Sequence, residues 1–171
     1  MTTWLALLRG THGGGRTRIR MSDLAACFEE AGYTDVRTYI QSGNVIFRAR
    51  GERPALTETI ERMLADAFDY DATVELRDLA AMRSVVEQAP PGFGSEPDVY
   101  RYDVLFLLPP LAADEVLEAL TPRAGVDIAW SGPGVVYHSR LIARASQSGL
   151  TRIVAHPFYR RMTVRNWNTT R

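Results

Sequence analysis

Tyr39-Ile40-Gln41-Ser42-Gly43-Asn44-Val45-Ile46-Phe47 is the stretch that decides the fold. Tyr39 and Ile40 lead in as β-formers, Ser42-Gly43 has turn chemistry, and Val45, Ile46 and Phe47 lead out, so it reads as strand, tight turn, strand. The pattern returns at Ile128-Ala129-Trp130-Ser131-Gly132-Pro133-Gly134-Val135-Val136-Tyr137. Two hairpins with a Ser-Gly turn in corresponding places point to a duplicated unit.

The surrounding chain fits that unit. Thr3–Arg9 is apolar on both faces, as a central strand requires. Met21, Leu24, Phe28 and Ala31 recur at helical spacing, with Ser22 as the expected N-cap and Gly32 as the stop. After the hairpin, Pro54 opens a second helix with Leu56, Ile60, Met63, Leu64 and Phe68 on one face, and Thr73–Leu76 is a short strand. The order is β-α-β-β-α-β, a ferredoxin-like unit. Asp78–Gln88 reads as a bridging helix, and residues 89–98, with three prolines and two glycines, as a linker. A strand at Tyr102–Leu108, a helix at Ala113–Leu120, the second hairpin, a short helix capped by Ser148 and a β-compatible Met162–Arg165 repeat the order. The expected architecture is α+β, two tandem ferredoxin-like units: residues 1–88 with the bridging helix, linker 89–98, and 99–171.

The composition bounds the class. With 171 residues, 46% hydrophobic and 23% charged, the chain can bury a core without covalent staples. Cys27 is the single cysteine, so no intrachain disulfide forms, and a reducing, cytoplasmic compartment is expected. It lies beside an apolar stripe with no base to activate it, and reads as a small hydrophobe. Met1–Leu8 is too short to span a membrane and lacks a basic region and cleavage site, so no membrane association is expected.

Net charge is zero but unevenly spread. Every Asp and Glu lies between Asp23 and Asp127; residues 1–20 carry +4, residues 128–171 carry +7, and the middle −11. If the basic ends meet, an anionic partner follows; arginines on separate faces would be merely solvated. There is no lysine. Arginine suits planar, bidentate anion contacts, but codon bias in a GC-rich genome is the preferred explanation, because only a few arginines sit in any one binding site.

Gly10-Thr11-His12-Gly13-Gly14-Gly15-Arg16-Thr17 nearly spells a phosphate loop, with Arg16 in place of its lysine. A guanidinium does not replace that point charge, Arg18-Ile19-Arg20 intervenes before the helix, and no strand ends in a Mg²⁺-directing Asp. What remains is either a looser anion nest flanked by Arg9 and Arg16 or a mobile loop that binds nothing. His12, His138 and His156 have no partners at metal spacing, no serine sits in a nucleophile elbow, and spacing assembles no triad; no metal or cofactor is expected. Arg165-Asn166-Trp167-Asn168-Thr169 sets a cation, an indole and two amides in sequence. Such a set stacks on a base and reads polar edges, or else plugs the terminus, with Trp167 packed and an Asn capping a turn.

Leu7-Leu8-Arg9-Gly10 with the Gly-rich loop, the Gln41–Asn44 turn and the Arg165–Thr169 segment, in that order, resemble an uncharacterised bacterial family catalogued as domain of unknown function 1697. The resemblance spans the chain and implies a duplicated α+β protein with ferredoxin-like halves; it implies no activity. The family loop commonly reads Arg-Gly-Ile-Asn-Val-Gly-Gly-Lys, so its apolar anchors are replaced here, and the terminal helix usual after Asn-Trp-Asn-Thr is not reached before Arg171.

The expected function is binding of an anionic ligand, a phosphorylated small molecule or single-stranded nucleic acid. The expected site comprises Arg9, Gly14, Gly15, Arg16, Gln41, Ser42, Asn44, Arg165, Asn166, Trp167 and Asn168. The rival readings are a metal-independent enzyme on a phosphorylated metabolite, using Gln41, Asn44 and His12, and an interaction protein without a ligand.

Overall fold

The computed structural model describes residues 1–9, 19–39, 43–69 and 71–171. They form two compact units, Met1–Met82 and Arg83–Arg171, each built on a four-stranded antiparallel sheet in an α+β arrangement.

The first unit runs β1 (Thr2–Arg9), α1 (Met21–Glu30), β2 (Thr34–Tyr39), β3 (Asn44–Ala49), α2 (Arg53–Phe68) and β4 (Thr73–Asp78). Its sheet has the order β2-β3-β1-β4, which explains why β1 is apolar on both faces: it is hydrogen-bonded on both sides. Trp4, Ala6 and Leu8 alternate into a core with Leu24, Phe28, Phe47, Ile60 and Leu64. Phe28 and Phe47 meet with ring centroids 5.2 Å apart, a tilted contact that adds to the apolar burial. Ser22 is not the cap of α1. The N-cap position is Arg20, with no side-chain bond, and Ser22 lies inside the first turn. α2 starts where Pro54 allows and stops at Asp69, which takes a left-handed conformation.

α3 (Leu79–Glu87) begins in the first unit and runs into the second, with Asp78 Oδ1 accepting the Ala81 N–H at 2.8 Å. The second unit continues with β5 (Tyr100–Leu107), α4 (Ala113–Leu120), β6 (Asp127–Gly132), β7 (Val135–Leu141), α5 (Leu150–Ile153), β8 (Met162–Asn166) and α6 (Trp167–Thr170). Its strand order is β6-β7-β5-β8. Leu105, Leu107, Val116, Leu120, Val136 and Met162 form its helix-side core. α5 is only four residues, against sixteen in α2; two 3-10 segments, Ile142–Gln147 and Pro157–Arg161, carry the chain past it. His156 caps the second of these, its Nδ1 accepting the Phe158 N–H at 3.3 Å.

Backbone bonds align the hairpins, and the alignment differs from that suggested by the Ser-Gly pairs. Leu8 N–H donates to the Gly43 carbonyl at 2.9 Å, and Leu107 N–H to the Gly134 carbonyl at 3.0 Å. Gly43 therefore corresponds to Gly134, at φ of 76° and 69°, and Ser131-Gly132 ends β6 instead of turning. Gly132 is glycine because of space: a Cβ there would stand 2.4 Å from the Tyr137 ring. Residues 89–98 fold back within the second unit, where Phe93 packs edge-on against Tyr102, Trp130, Tyr137 and Trp167 at 5.0–5.9 Å.

Candidate functional site

Arg9 ends β1 opposite Thr73, and buried Asn44 opens β3 opposite Leu7, its Nδ2 donating to the Tyr39 carbonyl at 3.0 Å. Both belong to the first unit, whereas Arg165, Asn166, Trp167 and Asn168 belong to the second. Gly14, Gly15, Arg16, Gln41 and Ser42, with His12, lie outside the described residues.

Arg165 lies on β8 opposite Val104 and is 8% exposed. It donates to Thr163 Oγ1 at 2.7 Å and to the Val164 carbonyl at 3.0 Å, and burial lowers its guanidinium pKa to about 10. It is held in the sheet and does not line the cleft described next. Asn166 Oδ1 accepts the Thr169 N–H at 2.8 Å and so caps α6, which turns the chain out of the sheet. Trp167, 9% exposed, packs edge-on against Phe93 and lies so close to Gly94 that a Cβ there would stand 2.4 Å from the indole.

β5 pairs with β7 from Tyr100 to Phe106 but with β8 only from Asp103 onward. Where β8 stops, a cleft of ≈ 270 Å³ opens beside Tyr100, Arg101 and Tyr102. Asn166, Trp167 and Asn168 form a second wall, and Gly94, Pro97 and Ile142 complete it. The lining holds three aromatic rings, two primary amides and one guanidinium, and no carboxylate. Arg101 is exposed and faces Arg140 across the β5–β7 ladder. Tyr100, Arg101 and Tyr102 carry no motif; the only sequence signal for them is a run of aromatic and cationic residues at a strand start.

The second unit also buries Asp127, His138 and Ser148. Asp127 Oδ2 lies 3.0 Å from His138 Nε2 and accepts from Ser148 Oγ at 2.8 Å and Gly149 N–H at 3.0 Å, while Oδ1 accepts the Arg123 N–H at 2.6 Å. These are the residue types of a hydrolytic triad in the wrong arrangement. A triad needs histidine between acid and serine, one ring nitrogen to each. Here acid and serine meet directly, His138 offers both the same Nε2, and Nδ1 has no hydrogen-bond partner among the described residues. Ser148 is 1% exposed and His138 0%, which leaves no room for a substrate. The constellation is a brace: it ties β6 and β7 to the turn before α5, where Gly149 passes so close to the Leu120 carbonyl that a Cβ would stand 2.0 Å away. Burial pushes the Asp127 carboxyl up, but its hydrogen bonds outweigh that and hold it below the ordinary carboxylate range. Burial drives the His138 pKa down despite Asp127, so a neutral imidazole donates from Nε2. Burial also raises Asp103, against the pull of Arg140, His138 and Arg101.

Among the described residues no group of three or more His, Cys, Asp or Glu could hold a metal ion, and no helix is long and apolar enough to cross a membrane. No curated protein matches the chain significantly. Among solved structures, the conserved bacterial protein SP0830 from Streptococcus pneumoniae is similar over 99% of this chain and 94% of its own, with a TM-score of 0.84 and 24% identity. That likeness shows the fold alone. A family profile described as "Protein of unknown function (DUF1697)" matches residues 1–137, and the chain belongs to that family.

Proposed function

We propose that the second unit binds a nucleotide unit, free or within a single-stranded nucleic acid, in the cleft between the start of β5 and α6. The observation that carries this is a lining with Tyr100, Tyr102, Trp167, Arg101, Asn166 and Asn168 and no carboxylate. Aromatic faces stack on any base, and a guanidinium takes a phosphate through paired N–H donors. An acid-free wall adds no repulsion to an anion. The volume is at the lower end for ligand clefts, about 300 Å³, which suits one nucleotide rather than two.

The fold reading that accompanies this is a duplication of a ferredoxin-like unit, supported by the shared β-α-β-β-α-β order and the equivalent strand orders, β2-β3-β1-β4 and β6-β7-β5-β8. In such a duplication the two halves have diverged: Asp78, Leu79 and Ala80 stand where Asn166, Trp167 and Asn168 stand.

The test is titration of the full chain at low salt with mononucleotides and with short single-stranded RNA, followed by Trp167 fluorescence and thermal shift. We expect saturable binding that weakens as salt rises, because phosphate contacts release counterions. Arg101→Ala should weaken it by about 1–3 kcal/mol, the range for a hydrogen bond to a charged group, without lowering the melting temperature. Stronger binding of RNA would place the ligand in a polynucleotide; equal binding would favour a free nucleotide. The absence of any saturable ligand would refute the reading.

A further inference from the structure

The start of β5 turns main-chain groups towards the cleft. Along an antiparallel strand, successive residues point their N–H and C=O alternately to the two sides. Leu107 N–H donates to the Gly134 carbonyl at 3.0 Å and the Val99 carbonyl accepts the Ile142 N–H at 3.0 Å, so the odd-numbered residues face β7. Leu108 N–H donates to the Arg161 carbonyl at 2.8 Å, so the even-numbered residues face the β8 side. β8 pairs with β5 only from Asp103 onward, and the Trp167 carbonyl is taken by the Arg171 N–H at 3.1 Å as the chain turns into α6. The Tyr100 N–H is satisfied by the Glu96 carbonyl at 2.9 Å. The Tyr100 carbonyl and the Tyr102 N–H are left side by side on that edge, towards the wall made by Asn166, Trp167 and Asn168. One acceptor beside one donor is too short an edge to hold a peptide strand, but it matches the edge of a planar heterocycle. The Tyr100 and Tyr102 rings share one face of the strand, with centroids 6.1 Å apart, where they can flank such a ring.

We infer that, resting on the nucleotide reading above, this backbone edge holds the base by its pairing edge: the Tyr100 carbonyl accepts an N–H of the base and the Tyr102 N–H donates to the adjacent oxygen or ring nitrogen. Each nucleobase carries a donor beside an acceptor there, N3–H beside O4 in uracil and N6–H beside N1 in adenine, so the contact does not choose among bases. It does require that edge to be vacant. The ligand is therefore a free nucleotide or an unpaired base of a single strand, and a duplex is shut out.

The experiment titrates the full chain with UMP and with N3-methyl-UMP, which keeps phosphate, sugar and ring but loses the N3–H. The N3-methyl compound should bind at least about tenfold more weakly, the scale of a hydrogen bond lost with its partner left unpaired. 5-Methyl-UMP, with the same bulk away from the pairing edge, should bind like UMP. Oligo-U should bind, and lose that binding when annealed to oligo-A. Amide exchange read by NMR locates the contact: exchange at the Tyr102 N–H should slow when UMP saturates the site, while the Asp103 N–H, which faces β7, should not respond. Equal binding of UMP and N3-methyl-UMP, an equal loss with 5-methyl-UMP, duplex binding as tight as single-strand binding, or Tyr102 exchange unmoved by bound UMP overturns the inference and leaves the cleft reading standing. If no nucleotide binds, the reading and the inference fall together.

Discussion

The two sheets share a strand order but surround matching positions with different partners. Aligned on Gly43 and Gly134, Trp4 opposite Phe47 corresponds to Asp103 opposite His138, and Arg77 beside Leu5 corresponds to Arg165 beside Val104. On its helix side the first sheet packs an apolar Trp–Phe pair, while the second packs Asp103 and the Asp127–His138 brace. On the opposite face the first sheet buries Glu75, whose Oε1 accepts from Arg53 at 2.7 Å and Arg77 at 3.1 Å. In the second sheet Thr163 stands where Glu75 stands, and Arg165 bonds to its hydroxyl. The same backbone position holds a buried arginine against a carboxylate in one sheet and hydrogen-bonded to a hydroxyl and a carbonyl in the other. What differs is cost: a carboxylate must be desolvated along with its partners, a hydroxyl far less.

The comparison breaks most sharply at Glu75. Glu75→Ala leaves Arg77, only 6% exposed, without its buried counter-ion, and should destabilise the first unit by about 3–5 kcal/mol. Urea unfolding followed at Trp4 reads the first unit, and Trp130 and Trp167 read the second, so single-Trp backgrounds separate them. A loss under 1 kcal/mol would mean that Arg77 reaches water without Glu75.

A smaller effect is expected at the matching site. Thr163→Val removes the hydroxyl that accepts from Arg165, but the Val164 carbonyl remains, so the second unit should lose about 1–3 kcal/mol. If Thr163→Val costs as much as Glu75→Ala, the distinction between ion pair and hydrogen bond is lost.

The finest test is pH. The folded state holds the His138 pKa below the unfolded value near 6.5, so unfolding takes up a proton as pH falls through that value, and stability drops between pH 7 and pH 5. The lowered Asp127 acts in the same sense at more acid pH, lost as pH falls through its folded pKa. Burial raises Glu75 despite Arg53 and Arg77, so its contribution is fully present below its unfolded pKa and is lost as pH rises through the folded value. Asp103 follows the Glu75 sense inside the second unit and partly offsets His138. His138→Phe installs the residue found at the matching position of the first sheet, Phe47, and should flatten the loss of stability between pH 7 and pH 5. Thermal melts of both proteins across that range provide the check; a slope unchanged by the substitution would show that His138 is not its source.

The elements were largely legible in the residues. β1 declared itself by apolar residues on both faces, α2 by Leu56, Ile60 and Leu64 at helical spacing behind Pro54, and the hairpins by alternating β-formers around glycine. Local reading failed where two candidates competed at short range. Ser22 had the chemistry of a cap, but the cap lies two residues earlier, at Arg20, and Gly132 resembled the turn that Gly134 makes. Register settles such choices, because a shift of one residue turns every side chain to the other face.

What the sequence by itself determined is the periodic part: two runs of strands and helices in the same order, an acid-free carboxyl-terminal segment, and the Arg165–Thr169 stretch as a place of unusual chemistry. Those follow from spacing and composition, which are local. Tertiary structure alone decided which face each polar group meets. It turned Arg165 into the sheet, brought Tyr100–Tyr102 beside Asn166–Asn168 across some 65 positions of chain, and set Asp127, His138 and Ser148 around one carboxylate oxygen as a brace. The physical reason is that burial, unlike periodicity, depends on neighbours distant in sequence. A buried donor or charge takes its partner from whichever residue the sheet register places next to it.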